Sequence, residues 1–123
     1  SLAERPLESR EHVDLAMRLS PLDPMHYAMV GTRAFTHMVQ GEDAEAAEWA
    51  DRAARAPGAH VLIAMIAAVA HALAGNSGQA ERWVKNIQLR NTAMHSDDFF
   101  RAFPMQQPEV RNRIRQSLKS LGF

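Results

Sequence analysis

Six histidines raise the possibility of a metal centre. They are His12, His26, His37, His60, His71 and His95, in a chain of 123 residues with no cysteine. Without thiolates, a zinc site would need three or more imidazole or carboxylate ligands converging on one point. His37 and His71 are the best pair, because they occupy equivalent places in two related segments. His26, His60 and His95 do not fall three or four residues from either, so no helix face offers a second ligand. A buried imidazole with a ring nitrogen hydrogen-bonded is the stronger expectation for both. The chain is expected to hold no metal and no cofactor.

Acid–base and nucleophilic chemistry fare no better. Glu42, Asp43, Glu45, Glu48 and Asp51 form an acidic run, with Glu45 and Glu48 three apart on one helix face. A general acid–base pair would need a cleft and a partner from another element. The run instead suits the first turns of a helix, where the dipole favours acids, and is expected to be a solvated face. Asp97 and Asp98 fit a helix start in the same way. There is no Gly-x-Ser-x-Gly and no glycine-rich phosphate loop, and Gly75-Asn76-Ser77-Gly78 lacks the lysine of a P-loop. No catalytic residue is assigned, and the chain is expected not to be an enzyme.

Charge sets limits on partners. Lysines and arginines number 14 and acids 14, so no net field draws nucleic acid or a membrane surface. Arg111, Arg113, Arg115 and Lys119 could touch phosphates, but they are spaced along one amphipathic segment and read mainly as a solvated face. No nucleic-acid binding by this chain alone is expected. The longest apolar stretch, residues 59–74 (AHVLIAMIAAVAHALA), is shorter than the roughly 20 residues of a membrane span. It is apolar almost all round, so it is expected to be a helix with neighbours on most sides. SLAERPLESREH at the start has no apolar core of the kind a signal peptide carries.

Glycine and proline divide the chain into segments of helical length. Helices are expected over about 6–19, 25–39, 43–56, 59–74, 77–88 and 96–103, with a last one from Gln107-Pro108 to Gly122. Asp23 with Pro24 and Ser96 are expected N-caps. Strand signals are weak, and the fold class is all-α.

Two of these segments repeat. Gly41 and Gly75, Ala46 and Ala80, and Trp49 and Trp83 each stand 34 residues apart. So do Ala34 and Ala68, and His37 and His71. The small residues let two helices of a hairpin touch, and the glycines turn the chain between them. This period and pattern resemble the tetratricopeptide repeat (TPR), a helix–turn–helix unit. The resemblance implies a single TPR-like domain: residues 1–21 as the second half of a partial repeat, 24–57 and 58–90 as repeats, and 96–123 as C-terminal capping helices. His37 and His71 stand where the repeat usually has a large aromatic. The closing proline is one position early at Pro57 and absent after the fifth helix. More narrowly, AMRLSPLDP (16–24) and FFRAFPMQQPEVRNRIRQSLKSLGF (99–123) are similar to the C-terminal TPR region of bacterial regulators. Those carry an N-terminal winged-helix or class III nucleotide cyclase domain. Pro104, Pro108, Arg111, Leu118 and Gly122 hold the tail pattern. A cytoplasmic, regulatory setting is implied.

In such an array the first helix of each hairpin lines a concave groove. The groove-facing positions are then Ala28, Gly31, Phe35, Met38, Leu62, Met65, Val69 and Ala72, all apolar or small. An apolar patch of that extent rarely stays wet. The chain's own C-terminal helix, a second copy, or a partner's apolar helix could cover it. The expected function is non-catalytic protein–protein interaction or self-association. The alternative is a small apolar-ligand sensor using the same face as its pocket.

Overall fold

The computed structural model describes residues 26–56, 58–90 and 93–123, with backbone alone for 26–28. The expected helix over 6–19 and the partial repeat over 1–21 lie outside the described residues. Those described form six helices and no strand: α1 (His26–Val39), α2 (Asp43–Arg55), α3 (Val61–Leu73), α4 (Ser77–Arg90), α5 (Ser96–Ala102) and α6 (Pro108–Ser120).

Three of the helices end in the same way, and the sequence explains why. Gly41, Gly75 and Gly122 have φ of 78°, 84° and 96°, a region that suits glycine because it has no Cβ. The residue after each glycine donates its N–H back to a carbonyl five positions earlier. Glu42 reaches His37 at 2.9 Å, Asn76 reaches His71 at 2.8 Å and Phe123 reaches Leu118 at 2.9 Å. These bonds satisfy carbonyls that the helix itself leaves open. The first two close the α1–α2 and α3–α4 hairpins at positions 34 residues apart.

Some boundaries differ from expectation. Ala59 and His60 stand outside α3, because the His60 ring nitrogen Nδ1 accepts from the Leu62 N–H at 3.1 Å and acts as N-cap. α4 runs two residues past Gln88, and Arg90 donates from Nη2 to the Ala59 carbonyl at 2.5 Å. Ser96 is not the cap of α5. His95 holds that place, and its N–H donates to Asp98 Oδ2 at 2.9 Å. The Ser96 hydroxyl instead donates to the Phe123 carbonyl at 2.9 Å.

Packing follows side-chain size. α2 turns Ala46, Ala47, Ala50, Ala53 and Ala54 inward. Such a face lets α1 on one side and α3 on the other come close, and both contacts are extensive. α3 is buried from Ile63 to His71 without interruption. It packs on α2 and α4, more lightly on α1, and against α5 and α6. At Gly31 α1 comes close to α3: a Cβ there would lie 2.9 Å from Ile63 Cδ1.

The turn glycines give a test of this account. Gly75→Ala meets no atom but keeps a positive φ, so it should cost about 1–2 kcal/mol in urea unfolding. Gly78→Ala, inside α4 and equally unobstructed, should add roughly 0.5 kcal/mol. Equal effects at both positions would contradict a backbone origin.

Candidate functional site

The positions expected to face a groove are buried unequally. Met65 and Val69 are fully buried, Met38 is 1 % exposed and Gly31 is buried against Ile63 and Ala53. Phe35, Leu62 and Ala72 are half-buried. The side chain of Ala28 lies outside the described residues.

The chain's own C-terminal helices lie over this face. Phe35 of α1 stacks on Phe103, just past α5, with ring centroids 5.3 Å apart and planes 28° from parallel. Phe103 leans on Phe99 at 5.0 Å, and Phe99 meets Phe100 edge-on at 5.6 Å. Offset and edge geometries of this kind are the ones that ring quadrupoles favour. From α6, Ile114 and Leu118 join the same core, at 1 % and 0 % exposure.

The basic C-terminal segment is engaged rather than simply solvated. Arg111 and Arg115 lie over the Phe100 ring, 4.5 and 5.2 Å from its centroid. Arg111 also donates to the Met105 carbonyl at 3.3 Å. Arg113 makes a two-pronged pair with Asp43 at the start of α2: Nη1 donates to Oδ1 at 3.0 Å, and Nη2 donates to Oδ2. The fork geometry fixes orientation as well as charge. The hydrogen bond to Asp43 raises the Arg113 pKa above its ordinary value; partial burial opposes the rise and the Asp43 charge adds to it.

The acidic run is likewise only partly a solvated face. Glu48 is exposed and pairs with Arg52 at 3.2 Å, one turn away. Asp43 holds Arg113, and Glu42 Oε1 accepts from His37 Nδ1 at 3.0 Å. Asp51, with its side chain 20 % exposed, carries the most. Its Oδ1 accepts from His71 Nε2 at 2.8 Å and from Trp83 Nε1 at 2.8 Å. One carboxylate of α2 thus holds α3 and α4. The His71 Nδ1 then accepts from the Asn76 amide at 3.2 Å.

His71 is 5 % exposed with both ring nitrogens occupied, so neither is placed to take a proton from a substrate. His37 and His71 are buried and hydrogen-bonded. Among the described residues, no three His, Asp or Glu side chains gather as a metal site would require. None of the described helices is long and apolar enough to cross a membrane. Asp51 is the residue that sequence reasoning missed. No family model, curated protein or solved structure matches the chain.

Asp51→Ala leaves two donors without their acceptor and should cost about 2–3 kcal/mol in urea unfolding, whereas Asp51→Asn, which keeps an acceptor oxygen, should cost about 1 kcal/mol. Met65→Lys buries an unpartnered ammonium and should cost on the order of 4 kcal/mol, with far-UV circular dichroism reporting lost helix at ambient temperature. A fully helical Met65→Lys chain with wild-type stability would mean that the face around Met65 is open.

Proposed function

We propose that this chain is a TPR-like array of helix hairpins closed by C-terminal capping helices. We propose that it serves as a non-catalytic protein–protein interaction or self-association module. The observation that carries this reading is that a ring-to-turn contact at Nδ1 recurs at an offset of 34 residues. His37 donates to Glu42 at 3.0 Å, and His71 accepts from the Asn76 amide at 3.2 Å. Each hairpin then stacks on the next through small residues. A unit that cannot bury its face alone and must stack on its neighbour is the physical basis of a repeat array.

The outer face of α4 supports an end to the array there. Where α2 has buried Ala47 and Ala54, α4 has exposed Glu81 and Gln88 at the matching places. Terminal repeats of solenoids need such a polar face. Residues 96–123 fold back over the inner face against α3, and the polar outer face of α4 is left to solvent. The resemblance of the 99–123 tail supports a setting in a larger bacterial cytoplasmic regulator, with an output domain upstream.

The small-ligand alternative is less well supported. Met65, Val69 and Phe99 fill the middle of the face with side chains. An open crevice of about 240 Å³ lies between the α1–α2 turn and α6. Ligand sites for drug-sized molecules more often span roughly 300–1,000 Å³, so this crevice is small for one.

Leu62 and Ala72 remain half-buried on the proposed interaction side, so they are the positions to alter. In affinity purification and sedimentation, Leu62→Asp/Ala72→Asp should weaken partner retention or self-association at least about tenfold with thermal unfolding little changed. A wild-type chain that stays monomeric and retains the same proteins as the double variant would sink the reading.

A further inference from the structure

α5 and α6 do more than fill a face. They show what chemistry that face accepts. Phe103 brings an aromatic ring to Phe35, and Arg113 brings a guanidinium to Asp43. Between these two anchors, the apolar side of α6 lies against α3. An apolar helix face flanked by one ring and one cation is a helix-in-groove contact, made here within one chain.

Three features set this contact apart from the hairpin contacts. The first is an unfilled seat. The crevice of about 240 Å³ runs beside Val110 and Ile114, against Met38 and Gly41, so this flank of α6 is not closely packed. The second is Ser117, which lies on the buried side of α6 at 7 % exposure. Its hydroxyl is buried with no hydrogen-bond partner. A buried donor without an acceptor weakens the contact that buries it. The third is that α5 and α6 make no extensive contact with α4, the helix before them in the chain.

The segment is also tied to itself. Ser96 at its start donates to the Phe123 carbonyl at its end, and Arg111 and Arg115 of α6 lie on Phe100 of α5. Such a unit keeps its shape and opens or closes as a body, as cooperative sub-global units do.

We propose that α5–α6 is a displaceable strap that occupies the groove in place of a partner, and that the partner is an amphipathic helix carrying an aromatic residue for Phe35 and an arginine for Asp43. The proposal rests on the interaction-module reading. The Asp43–Arg113 pair is its latch. Because Arg113 is 44 % exposed, replacing it removes the latch without entering the core. A groove that is mostly shut binds its partner more weakly by the fraction of time it is open, so unlatching the strap should strengthen binding.

The experiment uses the whole chain, with a synthetic peptide of residues 96–123 as probe and a scrambled peptide as control. In native-state amide exchange, α5–α6 should exchange together and at least about tenfold faster than the middle of α3. Arg113→Glu should speed α5–α6 further and leave α3 unchanged. Asp43→Arg/Arg113→Glu, which restores a reversed pair, should bring back most of the protection. In fluorescence anisotropy the peptide should bind the Arg113→Glu chain at least about tenfold more tightly than wild type, and the scrambled peptide should bind neither.

The proposal is overturned if α5–α6 and α3 exchange at one rate, because the strap is then part of a single cooperative core. It is also overturned if Arg113→Glu frees α5–α6 and the peptide still does not bind. Circular dichroism separates these results from a variant that fails to fold, and Arg113→Gln then serves as the milder unlatched form. Peptide binding to an opened chain that retains no cellular partner and does not self-associate overturns the module reading alone. A retained partner on a chain whose strap never opens overturns the strap alone.

Discussion

The burial of α3 is the constraint from which most of this structure follows. Nine consecutive residues, Ile63 to His71, are out of solvent. A helix buried all round needs neighbours on every side, and α2, α4, α1 and the α5–α6 segment supply them. Close neighbours need small contact residues, which is why alanine dominates both α2 and α3. Burial also has a polar consequence. His71 goes inside with the rest, and an imidazole inside must have partners for its ring nitrogens. Asp51 and Asn76 are those partners. By also holding Trp83, Asp51 turns one histidine's requirement into a tie between three helices.

The two hairpins share geometry but differ in proton placement. His71 gives its Nε2 proton to Asp51, so its Nδ1 accepts from the Asn76 amide. His37 gives its Nδ1 proton to Glu42. Replacing a carboxylate by an amide at the residue after the turn glycine therefore inverts the direction of the hydrogen bond. Both hairpins bury a histidine that bonds to the residue after its turn glycine, while the tautomer is set locally.

Local features of the sequence made much of this legible. Glycine and proline marked the helix ends, and the 34-residue offset placed His37 and His71 in matching slots. Long-range pairings were not legible. Asp51 lies 20 residues from His71 and 32 from Trp83, and Arg113 lies 70 from Asp43. Asp43 sat at a helix start, reason enough for its charge, and Asp51 read as one more acid of the same run. Nothing in the spacing distinguished them from Glu48, which stays in solvent. Ser96 misled for the same reason: a serine before two acids reads as a cap, and only the fold shows that Phe123 is near enough to take its hydroxyl. The apolar character of the α1 and α3 face was legible, but what covers it was not. A cover is a tertiary contact, and Phe35 gives no sign that its stacking partner is Phe103.

The unequal character of the two sides of the helix stack bears on where a partner can act. On the outer side, α4 presents Glu81, Lys85 and Gln88, and the apolar residue left exposed there is Leu89. One exposed leucine among charged neighbours is ordinary surface. On the inner side, apolar and aromatic side chains run continuously from Phe35 through Phe103 to Phe99. Under the proposed reading, affinity comes from the inner side, because among the described residues the apolar side chains that could outweigh the entropy lost on association gather there. The chain already spends that area on α5–α6. A partner on the inner side must therefore compete with a tethered segment, and competition against a tether favours the tether unless its seat is imperfect. The unpartnered Ser117 hydroxyl and the open crevice beside Ile114 are imperfections of that kind, and both involve α6.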